Sequence, residues 1–129
     1  MSVTLVDVRR LALALPEAVE GEAKQFGVGV MVKGKSKGFC WSWLERVDPK
    51  KGRVPDPDVL VVRVDAEHEK FALCKAEPDK FFTEDHYNGY AAVMVRLAAI
   101  DAEELAELLV DSWRLTAAKS LVAEYDAAH

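Results

Sequence analysis

"GVGVMVKGKSKGFCWSWLERV", residues 27–47, decides the fold class. The run leading in alternates loosely and reads as a strand, interrupted near Gly27 and Gly29. "KGKSKG", residues 33–38, reads as a tight, basic hairpin tip. Gly supplies the positive φ angles a short turn demands, and Lys keeps the tip hydrated. "FCWSWLERV" then returns as the second strand. At period two, Phe39, Trp41 and Trp43 share one face, and Cys40, Ser42 and Leu44 take the other. So short a connection makes the pair antiparallel.

Upstream, "TLVDVRRLALAL" puts Leu5, Val8, Ala12 and Leu15 at helical spacing. Thr4 with Asp7 is a plausible cap, and Pro16 should end the helix near Leu15. "EAVEGE" reads as a turn. Downstream, "DPKKGRVPDPD" carries three of the five prolines and reads as a loop. "VLVVRV", residues 59–64, is a continuous apolar strand, which predicts an interior position with both faces covered. Asp65 is expected to cap a helix, "AEHEKFALCKAE", with Phe71 and Cys74 on its apolar face. Pro78 ends it. "KFF" reads as a short extended piece and "AAVMVRL" as the last strand. "AIDAEELAELLVDSW" is the best-marked helix. Asp101 and Glu104 stand at capping-box spacing, and Leu105, Leu108, Leu109 and Trp113 form its stripe. A last helix covers roughly residues 117–125. The order predicts an α+β fold: an antiparallel sheet of about five strands flanked by helices, as a single domain over residues 1–129.

The chain has 129 residues, half of them hydrophobic, enough to bury a core without staples. No apolar run approaches the roughly 20 residues a membrane span needs, and the start does not read as a signal peptide. Cys40 and Cys74 form no CxxC, so two reduced, packed thiols in a cytoplasmic protein are expected. The net charge of −5 weighs against a strong nucleic-acid binder. It is unevenly spread, however: residues 33–53 carry +5 and residues 101–129 carry −5.

Chemistry-bearing motifs are sparse. His68, His86 and His129 have no His or Cys at ligand spacing, so no metal is expected. There is no GxSxG, and Cys40 sits in a strand where a thiol is inert. "FGVGVMVKG" has its third Gly misplaced and no following helix, so it is not a dinucleotide fingerprint. "KGKSKG" lies between strands, where a phosphate loop would lead into a helix. No catalytic set and no cofactor follow, and the chain reads as a non-enzyme. "FFTEDHYNGYAAVMVRL", residues 81–97, is the densest polar stretch. Asn88-Gly89 is a strong turn signal delivering Val93, Met94 and Val95 into the sheet.

Three segments together resemble the MmcQ/YjbR family of small bacterial proteins. They are "LALALPEAVEGEAKQFG", "VMVKGKSKGFCW" and "VMVRLAAIDAEELAELLVDSWRLTAAKSLV". The resemblance spans about residues 5–123 and is most specific in the last segment. It implies a compact α+β fold similar in shape to type III secretion chaperones and to a double-wing DNA-binding domain. Members of the family are commonly labelled DNA-binding, on likeness of fold. "TEDHYNGY" and the long "ERVDPKKGRVPDPD" link depart from the family pattern.

Two functions follow as expectations. The first is a DNA-binding module that sets Lys33, Lys35, Lys37, Lys50, Lys51 and Arg53 on phosphates, with Trp41 and Trp43 as stacking surfaces if they are exposed. The alternative reading packs those tryptophans on the helices. The second function is a non-catalytic adaptor for a protein or small ligand, using His86, Tyr87, Asn88 and Tyr90, with Arg96 beneath. Either would act as a monomer or weak dimer, away from membranes.

Overall fold

The computed structural model describes residues 3–21, 26–45, 54–83 and 89–128, with the side chains of residues 44, 45 and 54–57 set aside. In chain order the elements are α1 (Leu5–Leu13), β1 (Ala18–Glu20), β2 (Gly27–Val32), β3 (Lys35–Glu45), β4 (Val54–Arg63), α2 (Glu67–Ala76), β5 (Phe81–Phe82), β6 (Ala92–Arg96), a 3-10 turn (Leu97–Ala99), α3 (Ala102–Thr116) and α4 (Lys119–Ala128). The strands form one antiparallel sheet in the order β1-β2-β3-β4-β6-β5. The fold is α+β, with six strands where about five were expected. The additional one is β1, inside the stretch read as a turn. Ala18, Val19 and Glu20 pair with Val30, Gly29 and Val28. The edge of β2 offers them hydrogen-bond partners, and a tertiary partner outweighs weak local preference.

Helices α1 and α3 begin at the caps the sequence predicts, while α1 ends at Leu13, two residues earlier than expected, and α4 covers Lys119–Ala128 rather than 117–125. The Asp7 carboxylate accepts the Thr4 backbone N–H at 2.9 Å and caps α1, whose Val8 and Ala12 are fully buried. Asp101 Oδ1 accepts the Glu104 N–H at 2.8 Å at the start of α3. Leu105, Leu109 and Trp113 are buried beneath that helix, and the Trp113 indole donates to the Pro16 carbonyl at 3.0 Å. That bond ties α3 to the turn between α1 and β1. β4 lies between β3 and β6, and Leu60, Val61 and Val62 are sealed on both faces, as a continuous apolar run requires.

Helix α2 departs from its expected form. Its N-cap is Ala66, with no side-chain bond, and Asp65 stands one residue outside. Phe71 is half exposed, and the buried position is Lys70. Leu73 and Cys74 rest partly on the core.

The helices cover one sheet face. On the opposite face Val59, Val61, Ala92 and Met94 are buried with Trp41, Trp43 and Phe82 packed against them. Strict alternation along β3 is broken, which corrects the assignment of Phe39 to the tryptophan face. Gly29 pairs with Gly38, but Val28 pairs with Cys40, so Phe39 is an extra residue. This bulge turns both Phe39 and Cys40 into the helix-side core, each at 0% exposure. The Phe39 carbonyl is met by the Ser112 hydroxyl of α3, which donates at 2.8 Å. Gly29 is required opposite this irregularity, since a Cβ there would stand 2.8 Å from the Lys37 carbonyl oxygen.

Two further boundaries move. The hairpin tip shrinks from six residues to Lys33–Gly34, with φ of 52° and 80°, the sign pattern of a primed hairpin turn. The proline-rich segment is a loop only in part. Val54, Pro55 and Asp56 pair with Glu45, Leu44 and Trp43, and the register then breaks before Leu60 pairs with Ser42. Prolines are accommodated beside such a break because fewer ladder bonds are required there.

Candidate functional site

Two regions gather the candidate residues. The first is the β2–β3 hairpin. Lys33, Lys35 and Lys37 are exposed, and among the described residues none has an acidic partner. Other cations are engaged: Arg9 with Glu20 at 2.7 Å, Arg114 with Asp126 at 2.6 Å and Lys80 with Glu104 at 2.5 Å. Lys37 pairs with Val30 and Lys35 with Val32, so both project on the helix side of the sheet. Trp41 pairs with Val61 and belongs to the opposite face. Lysines and tryptophans therefore do not form one surface. Trp41 and Trp43 are half-buried against the sheet, not on the helices, and Trp41 meets Tyr90 edge-on with centroids 6.3 Å apart. Lys50, Lys51 and Arg53 lie outside the described residues.

The second region is a cleft where β4 ends. Two adjoining hollows, of about 360 and 400 Å³, share Arg63, Val64, Asp65 and Leu115. Arg63 Nη2 donates to the Tyr90 hydroxyl at 3.2 Å, and its guanidinium carbon lies 5.9 Å from the Tyr90 ring centre. The Arg63 Nε is buried and, among the described residues, has no hydrogen-bond partner.

Behind the cleft runs a polar network centred on Lys70, which is fully buried. Its Nζ donates to the Tyr90 carbonyl at 2.9 Å and lies 3.5 Å from Glu67 Oε1. The same Glu67 oxygen accepts the Gly89 N–H at 2.6 Å. Gly89 has φ of 79°, the left-handed conformation expected after Asn88 in a turn. α2 thus holds the segment that leads into β6. Sequence reasoning missed Lys70 because a lysine in a polar helix reads as solvated. Its helical spacing to Leu73 and Cys74, on the face that meets the core, was the available signal.

Arg96 stands apart from this cluster, at the far end of β6 from Tyr90. Its guanidinium lies 4.0 Å over the Phe82 ring, and Nη1 donates to the Pro78 carbonyl at 3.1 Å. The arginine that meets Tyr90 is Arg63. His86, Tyr87 and Asn88 lie outside the described residues. Burial pushes the Cys40 thiol up to about 12, and burial also raises Cys74 against the opposing pull of Lys70. Both shifts disfavour the thiolate. Among the described residues, no group of three or more His, Cys, Asp or Glu is placed to hold a metal, and no helix is long and apolar enough to cross a membrane.

The sheet, the bulge and the helices that line this cleft fall within a stretch, residues 13–115, that matches the YjbR family. The chain belongs to the YjbR family. Two mycobacterial relatives, uncharacterised proteins of Mycobacterium tuberculosis (Rv2570) and Mycobacterium bovis (Mb2600), are each 36% identical over 116 residues, covering 90% of this chain and of theirs. The YjbR fold also matches the crystal structure of Deinococcus radiodurans protein DR2400, assigned a DUF419 domain. The TM-score is 0.68 at 26% identity, over 95% of this chain and 88% of that one.

Proposed function

We propose that this YjbR protein is a non-catalytic DNA-binding module that sets the tip of its β2–β3 hairpin on the phosphate backbone. The observation that carries the reading is the conformation of Lys33. It occupies the first turn position with φ of 52°, where Asn or Gly is favoured and a lysine is strained. The tip keeps a third exposed cation beside Lys35 and Lys37 at that conformational cost. The half-buried tryptophans are engaged with the sheet, so contact rests on charge, and duplex binding with little base preference follows.

Three phosphate contacts give a log–log salt slope of about −2.7, so affinity falls about 40-fold between 50 and 200 mM salt. Fluorescence anisotropy with labelled duplex DNA reads this directly. A variant with Lys33, Lys35 and Lys37 changed to Glu should lose the salt-sensitive binding. Binding that persists in the variant, or no binding at micromolar protein, defeats the reading.

A further inference from the structure

We infer that the cleft between the end of β4, α2 and α3 is a binding site for a small zwitterion, an amino acid or a short peptide, whose carboxylate seats on Arg63. The inference deepens the small-ligand alternative and is independent of DNA binding at the hairpin tip. Arg63 Nη2 is held from one side by the Tyr90 hydroxyl, and the arginine lines both hollows. A guanidinium fixed in this way presents a planar fork, and a carboxylate answers it with two parallel bonds.

The adjoining hollow shares Arg63 and Asp65 and adds further carboxylates. Asp65, Glu69 and Asp111 line it, and none has an ion-pair partner among the described residues. Arg114, which also lines it, is taken by Asp126. A simple anion meets three carboxylates here, and a simple cation leaves the arginine unanswered. A molecule that carries both charges satisfies both ends. Leu73, Leu108 and Leu115 add an apolar lining suited to an aliphatic side chain. The hollows, about 360 and 400 Å³, fall in the size range of small-molecule sites and leave room for a dipeptide.

The test is a heteronuclear NMR titration of the intact protein with L-leucine and the dipeptide Leu-Leu. Two singly charged analogues are run beside them, 4-methylpentanoate and isopentylamine, each to about 10 mM, enough to see weak sites. Saturable shifts at Ala91, Asp65 and Leu115 are expected for the zwitterions, with each analogue at least about tenfold weaker. Arg63→Gln should abolish zwitterion binding. Because Arg63 also holds Tyr90, the exposed Asp111→Asn gives a second reading on a folded protein. It should weaken the zwitterions and leave 4-methylpentanoate as tight or tighter. No saturable shift with either zwitterion, or equal affinity for zwitterions and analogues, overturns the inference.

Discussion

The buried amine of Lys70 donates to the backbone carbonyl of Tyr90 at 2.9 Å, across twenty residues of sequence. The bond joins α2 to the segment entering β6. A fully buried lysine stem also fills volume between them. Lys70→Ala removes both contributions and should cost about 2–4 kcal/mol. Lys70→Met keeps most of the stem and should cost clearly less. Urea unfolding monitored by tryptophan fluorescence compares the two. Equal losses would show that the stem contributes nothing and that the bond carries the whole effect.

The bulge at Phe39 leaves a carbonyl that Ser112 satisfies, and both groups are buried. Ser112→Ala keeps the size of the side chain nearly unchanged while orphaning that carbonyl. A loss of about 1–3 kcal/mol is expected. Thermal unfolding at fixed pH measures it, and a change within a few tenths of a kcal/mol would mean that the carbonyl finds another partner.

Most of the fold was legible because its strongest signals are local. Asp101 caps α3 through Glu104, and the run from Val59 to Val64 reads as an interior strand. What the residues conceal is set by partners far away in sequence. Ala18–Glu20 forms a strand only because β2 lies alongside it. Phe39 leaves the tryptophan face through one unmatched residue, and alternation cannot reveal a slip in register. The hairpin lysines were legible as an exposed cluster. Arg63 and Lys70 were not, because each lies in a run whose other features, apolar strand and polar helix, dominate the pattern.

Cys40 makes the fold sensitive to alkali. Its thiol has an ordinary value of 9.0 and is pushed by burial up to about 12 in the folded chain. Below the unfolded value both states hold the proton and the contribution is complete. As pH rises from there toward the folded value, the unfolded chain releases a proton that the folded chain keeps. Stability then falls by up to about 1.4 kcal/mol per pH unit. Urea melts of wild type and Cys40→Ala from pH 8 to 11 isolate this effect from other titrations. The wild type should show the steeper decline, and parallel declines would refute it.

Gly29 faces the Lys37 carbonyl so closely that a methyl group would stand 2.8 Å from its oxygen and 2.5 Å from Ser36 Oγ. The serine can rotate, but the carbonyl is fixed by the strand. Gly29→Ala should therefore destabilise by about 1–3 kcal/mol, against the usual gain from replacing glycine in a strand. Gly27→Ala, with its nearest contact at 3.5 Å, is the control and should be mild. A chemical denaturation series on both variants distinguishes the positions.

The buried bond from Ser112 to the Phe39 carbonyl also bears on the proposed contact of the three lysines with phosphates. It fastens the hairpin to α3 at Phe39, five residues beyond Gly34 of the turn. The arm beyond the clamp, from Phe39 back to Lys35, is roughly 13 Å of paired strand, at about 3.3 Å per residue. Such an arm behaves as a cantilever fixed at its base. The charges it bears keep their mutual spacing before any partner arrives. Docking them costs little ordering entropy, in contrast to a loose basic tail, which must surrender its freedom on contact.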